Sequence, residues 1–181
     1  MRAFTFENAT KIYFGGGCVK EHLLEAVKPY GETVMLAYGG GSIKTNGIYQ
    51  EVMDVLKLAG KQVIEFSGIM PNPTYSKVME GKKVVQENQV DLILAVGGGS
   101  VMDCSKAISM AAATDKDVWE EYWIKKGEID FEPVPVGVIV TVVGTGSEVN
   151  GEGVITHEEQ KIKTSRNYPR CNPVFAMMDP K

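Results

Sequence analysis

Asp91-Leu92-Ile93-Leu94-Ala95-Val96-Gly97-Gly98-Gly99-Ser100-Val101-Met102-Asp103 is the stretch that decides the fold. After its aspartate the first part is wholly apolar, as a strand covered on both faces of a parallel sheet must be. Three consecutive glycines then bare the backbone, and the residues that follow continue at helical spacing. A strand, a side-chain-free turn and a helix N-terminus together make an anion pocket. Amide N–H groups can approach a phosphate there, and the helix dipole favours negative charge. The same turn occurs earlier, where Thr33-Val34-Met35-Leu36-Ala37 precedes Gly39-Gly40-Gly41-Ser42. Two such turns in one α/β unit imply a ligand with more than one phosphate, and a dinucleotide is the natural candidate.

Working outward, apolar runs and helical periodicities alternate. A strand over residues 33–37 is followed by a helix face of Ile48, Val52, Val55, Leu56 and Ala59. A strand over residues 62–66 is followed by a helix carrying Tyr75, Val78, Met79 and Val85, and the strand over residues 91–96 by a helix to about residue 113. This order predicts an α/β fold with a Rossmann-like parallel sheet and flanking helices. Residues 4–7 and 11–14 alternate apolar and polar side chains, which predicts short strands or a hairpin. Residues 117–123 predict a short aromatic helix. Residues 134–142 predict another apolar strand, and residues 153–156, 161–164 and 174–178 shorter ones.

The chain has 181 residues, of which 44% are hydrophobic and 23% charged, enough for a substantial core. A net charge of −4 argues against a nucleic-acid partner, which would call for a basic face. No apolar run reaches bilayer length, and residues 1–6 lack the apolar core of a signal peptide. The three cysteines, Cys18, Cys104 and Cys171, are far apart and form no CxxC pair. Free thiols suit a reducing compartment, so the expected location is cytoplasmic. His22 and His157 belong to no metal-binding spacing, and no residue is assigned a catalytic or metal-ligating role.

Gly97, Gly98, Gly99 and Ser100 are expected to hold a diphosphate, with Asp103 one helical turn further on. The bland alternative is that Ser100 and Asp103 cap the helix and the glycines only permit close packing. At the first turn, Gly39, Gly40, Gly41, Ser42 and Lys44 carry a selectivity argument. An NAD site usually offers a carboxylate to the adenosine ribose, and no Asp or Glu lies between Glu32 and Glu51. Ser42 and Lys44 instead suit a 2′-phosphate, which favours NADP. Pro71 and Pro73 are expected to hold Asn72 in an extended, fixed backbone, from which its amide could contact a ribose or a phosphate. Thr141, Val142 and Thr145 end the apolar strand at the edge where ligands of open α/β sheets bind.

These motifs occur in one order. Thr10-Lys11-Ile12-Tyr13-Phe14-Gly15, Tyr38-Gly39-Gly40-Gly41-Ser42-Ile43-Lys44, Pro71-Asn72-Pro73, the G-G-G-S-x-x-D-x-x-K run from Gly97 to Lys106, and Thr145-Gly146-Ser147-Glu148-Val149-Asn150 follow one another. The series resembles the iron-containing (group III) alcohol dehydrogenases, in particular their NADPH-dependent butanol dehydrogenase branch. The resemblance implies that residues 1–181 are a dinucleotide-binding domain of the dehydroquinate-synthase-like N-terminal type. It also implies that a C-terminal all-helical domain, holding iron or zinc through one Asp and three His, is not present in this chain. Interconversion of a small alcohol and an aldehyde by hydride transfer would then belong to the full-length protein, and this chain alone would be inactive. The resemblance further places Thr141, Val142 and Thr145 at the adenine and ribose cleft, brings Lys163 to a ribose, and suggests a homodimer built through N-terminal strands. Two other readings stand beside it. One is the cofactor domain of a glycerol-dehydrogenase-like or dehydroquinate-synthase-like enzyme, and the other a stand-alone dinucleotide-binding module.

Overall fold

The computed structural model describes Ala3 and residues 8–180. The described residues form eight strands: β1 (Lys11–Phe14), β2 (Thr33–Tyr38), β3 (Gln62–Phe66), β4 (Leu92–Gly97), β5 (Val136–Val140), β6 (Glu152–His157), β7 (Ile162–Asn167) and β8 (Phe175–Met178). The helices are α1 (Cys18–Val27), α2 (Ser42–Thr45), α3 (Ile48–Leu58), α4 (Tyr75–Glu87) and α5 (Gly99–Ala112). Six strands make one sheet in the order β1-β8-β5-β4-β2-β3, and every neighbouring pair is parallel. The expected α/β fold is therefore observed. β6 and β7 form a separate antiparallel pair.

Alternation along the strands builds two cores. Val34, Leu36, Leu92 and Leu94 pack with Leu23, Val27, Val52 and Leu56 of α1 and α3. Met35, Ala37, Ile93 and Ala95 point the other way, onto Val78, Val85, Met102 and Ile108 of α4 and α5. Each strand residue thus serves one face or the other, so β2 and β4 are apolar without a polar period.

Three details differ from the sequence expectation. Residues 11–14 pair in parallel with β8 rather than forming a hairpin, while the strand expected at residues 4–7 lies outside the described residues. The short aromatic helix is a π-helix, Trp119–Ile124, whose Trp119, Tyr122 and Trp123 are all buried. The strand expected over 134–142 is shorter, ending at Val140, so the segment beyond it is free to cross the sheet edge.

Candidate functional site

Register brings the glycine turns together. Tyr38 of β2 lies opposite Val96 of β4, so Gly39 and Gly97 leave the same sheet edge side by side. Gly97 in turn lies opposite Val140 of β5, and the Thr141 N–H donates to the Gly97 carbonyl at 3.0 Å. Three adjacent strand ends therefore meet at the carboxyl edge, where open α/β sheets bind ligands.

The glycines are not equivalent. Gly41 has φ 101°, a left-handed conformation that L side chains rarely adopt. A Cβ on Gly97 would lie 2.5 Å from Val101 Cγ2, and one on Gly99 would lie 2.9 Å from Thr145 Oγ1. Gly97 and Gly99 thus permit close packing, and the loop beyond β5 lies over the second turn. Gly40 has neither reason, since its backbone is unstrained and nothing stands within 4 Å of an added Cβ. Ser100 caps nothing: α5 starts at Gly99 and has no side-chain cap.

Beside the first turn lies a depression of about 310 Å³, lined by Tyr38, residues 39–41, Lys44, Ser67 and Gly68. Lys44 is exposed at its rim. Its Nζ lies 3.2 Å from Glu65 Oε2 and 4.5 Å from the Tyr49 ring centroid. The Tyr38 and Tyr49 hydroxyls donate to the two Glu65 oxygens at 2.5 and 2.7 Å. These hydroxyls hold the Glu65 carboxyl below the usual carboxylate range, and interaction with Tyr38 and then Glu65 raises Lys44 above the usual lysine range. No acidic residue lies between Glu32 and Glu51, close to these glycines along the chain. Pairing of β2 with β3 delivers one from the next strand, with Leu36 opposite Glu65.

Asp103 spends both oxygens on the protein. Ser147 Oγ donates to one at 2.5 Å, and the Val154 N–H to the other at 3.1 Å. Lys106, 1% exposed, donates to the Ser147 carbonyl and Oγ and to the Asn150 carbonyl, at 2.6–3.0 Å. Burial pushes its pKa down to about 8, against the opposing pull of Asp103. This network fixes the loop that follows β5 and was not anticipated from sequence. Its signal was present, since an Asp and a Lys three residues apart share one face of a helix.

Asn72 and Lys163 meet across the fold, Lys163 Nζ donating to Asn72 Oδ1 at 2.5 Å, and both are exposed. Asn72 has φ 55°, a left-handed conformation that asparagine tolerates, instead of the extended backbone expected between two prolines. Thr141 borders a second cleft of about 350 Å³ with Val19, Ile48, Val140 and Asp179, while Val142 is 68% exposed. Among the described residues, no group of three or more His, Cys, Asp or Glu could hold a metal ion. Cys104 and Cys171 are buried thiols whose pKa burial pushes up to about 12, so neither is a reactive thiolate. Among the described residues, no helix is long and apolar enough to cross a membrane.

The family of iron-containing alcohol dehydrogenases matches residues 9–180. A probable NADH-dependent butanol dehydrogenase 1 of Bacillus subtilis is 44% identical over 99% of this chain, which covers 46% of that protein. The NADPH-dependent aldehyde reductase YqhD of Escherichia coli is 38% identical over 99% of the chain, covering 46% of that protein. The crystal structure of NADH-dependent butanol dehydrogenase A from Thermotoga maritima superposes with a TM-score of 0.92 at 40% identity, covering 99% of this chain and 45% of the other. The chain thus spans about half the length of the relatives it matches. Paired glycine turns on one parallel sheet edge, together with a family match over nearly every described residue, place the chain in the iron-containing alcohol dehydrogenase family.

Proposed function

We propose that this chain is the dinucleotide-binding half of an NADP-dependent alcohol dehydrogenase that interconverts primary alcohols and aldehydes in the cytoplasm. The observation that carries the reading is Gly40, a glycine that neither strain nor crowding requires, in a turn aligned with a second glycine turn on the neighbouring strand. A ligand backbone approaching the chain closely explains that choice. Residues 97–100 would hold the diphosphate. Gly39, Gly40, Gly41, Ser42 and Lys44 would surround a 2′-phosphate, Asn72 and Lys163 a ribose, and Thr141, Val142 and Thr145 the adenine side. Asp103 would act by holding the loop that carries Thr145 rather than by contact.

The bound nicotinamide would supply or accept hydride at the substrate carbon. The described residues do not fit the metal that the family's name implies. Iron or zinc would be held by residues outside this chain, and no step is assigned to it.

NAD is the second reading. Glu65 stands where a ribose hydroxyl could be accepted, and the Bacillus subtilis relative and the Thermotoga maritima enzyme both carry NADH dependence in their names. The reading as a whole is tested by fluorescence titration of this chain with NADPH and NADH. Saturable binding of either supports it, and binding of neither sinks it. The full-length protein is expected to reduce butanal with NADPH and to lose that activity to a chelator.

A further inference from the structure

Four side chains from four elements converge beside the first glycine turn: Tyr38 of β2, Lys44 of α2, Tyr49 of α3 and Glu65 of β3. The carboxylate is the hub. Glu65 Oε2 accepts from the Tyr38 hydroxyl and from Lys44, and Oε1 from the Tyr49 hydroxyl. A carboxylate offers about four acceptor positions. Three are taken, leaving one for a hydroxyl donor. Glu65 and Lys44 are each about half exposed, at 42% and 47%, so neither belongs to the core, and Lys44 and Tyr38, both bonded to Glu65, line the depression.

We propose that Glu65 and Lys44 act as an opposed pair that sets the choice between a free 2′-hydroxyl and a 2′-phosphate on the adenosine ribose, with Glu65 the residue that favours the hydroxyl. The proposal rests on the dinucleotide reading above. A 2′-phosphate brings up to two negative charges, which Lys44 attracts and Glu65 repels. A ribose hydroxyl can donate to the vacant Glu65 lone pair and carries no charge for Lys44 to attract. Because the two charges act in opposite senses on a 2′-phosphate, removing either tilts the choice in a set direction. Both groups are ionised across the neutral range, the tyrosine hydroxyls lowering the Glu65 pKa, and Tyr38 followed by Glu65 raising that of Lys44. The balance is therefore fixed by geometry rather than by pH.

The test is the ratio of NADPH to NADH affinity, measured by fluorescence titration of the chain and of two variants. Glu65→Gln keeps the size and an acceptor for the tyrosines but removes the charge. Its expected effect is a rise of about tenfold in the ratio, in favour of NADPH. Lys44→Met should lower the ratio by about tenfold. Lys44 is exposed, so that variant reads the pair even where Glu65→Gln disturbs folding, which circular dichroism reports. Opposite movements of the ratio establish the proposal. Equal weakening of both nucleotides with the ratio unchanged makes Glu65 a support for the tyrosines only. That result overturns the proposal and leaves the dinucleotide reading standing. Binding of neither nucleotide by the unmodified chain overturns both.

Discussion

The Ser147 hydroxyl donates to Asp103 at 2.5 Å across 44 residues of sequence, joining α5 to the loop that lies over the second glycine turn. The second Asp103 oxygen accepts from the Val154 N–H within β6. One carboxylate thus fixes two segments that the parallel sheet does not reach. Asp103→Asn keeps the shape but exchanges one acceptor oxygen for an amide NH2 donor and removes the charge beside Lys106. The expected cost is about 2 kcal/mol of folding stability, measured by urea unfolding. A variant as stable as the parent would show that the loop is held by other contacts.

Lys106 offers a pH test of the same network. Its ammonium serves Ser147 and Asn150, so Lys106→Met leaves buried carbonyls unpaired. The loss should be about 3 kcal/mol near neutral pH. Burial holds the folded pKa down to about 8, against an ordinary 10.5 in the unfolded chain. Between these values the unfolded lysine keeps a proton that the folded one has released, so stability rises with pH through the window. The advantage of the parent over Lys106→Met should be constant below about pH 8 and widen from there to 10.5. A difference that narrows over that range would show that the folded pKa is not depressed.

Gly137 and Phe175 are register partners on β5 and β8, and an added Cβ on Gly137 would lie 2.2 Å from the Phe175 ring. Phe175 is 3% exposed, so its ring has no open side into which to retreat. Gly137→Ala should cost about 2 kcal/mol through overpacking. The measurement is the shift in the urea midpoint at unchanged slope. Phe175→Leu in the same background should recover part of the loss.

The apolar strands and their glycine ends were legible because β2, β3 and β4 alternate with helices in sequence, and local pattern carries that information. The end of β5 was read two residues too late because Thr141 and Val142 continue its apolar run. Only the crossing of the loop over Gly98 and Gly99 separates them from the strand. Glu65 was missed for a different reason. On the chain it is one charge in a short strand, and only pairing of β2 with β3 brings it to Lys44. Asn72 and Lys163 were singled out separately, and their contact spans 91 residues. The sequence puts Asp103 one helical turn beyond the second glycine turn, but a helix position alone does not tell a ligand contact from a bond to Ser147.

Gly40 separates structural glycines from functional ones. Gly97→Ala would put a methyl 2.5 Å from Val101 Cγ2 and 2.8 Å from its Cβ, so folding and binding should fail together. Gly40→Ala meets nothing within 4 Å and strains no backbone angle. Its stability should equal or slightly exceed that of the parent, because alanine restricts the unfolded chain more than glycine does, an effect of about 0.5 kcal/mol. Its affinity for NADPH should nevertheless fall by about tenfold, since a methyl group keeps a phosphate from the backbone amides of the turn. Thermal unfolding and a nucleotide titration on the same sample separate the two effects. Lost affinity at undiminished stability assigns Gly40 to the ligand. Unchanged affinity would mean that the phosphate does not approach this turn, and the dinucleotide would then have to be held by the second turn alone.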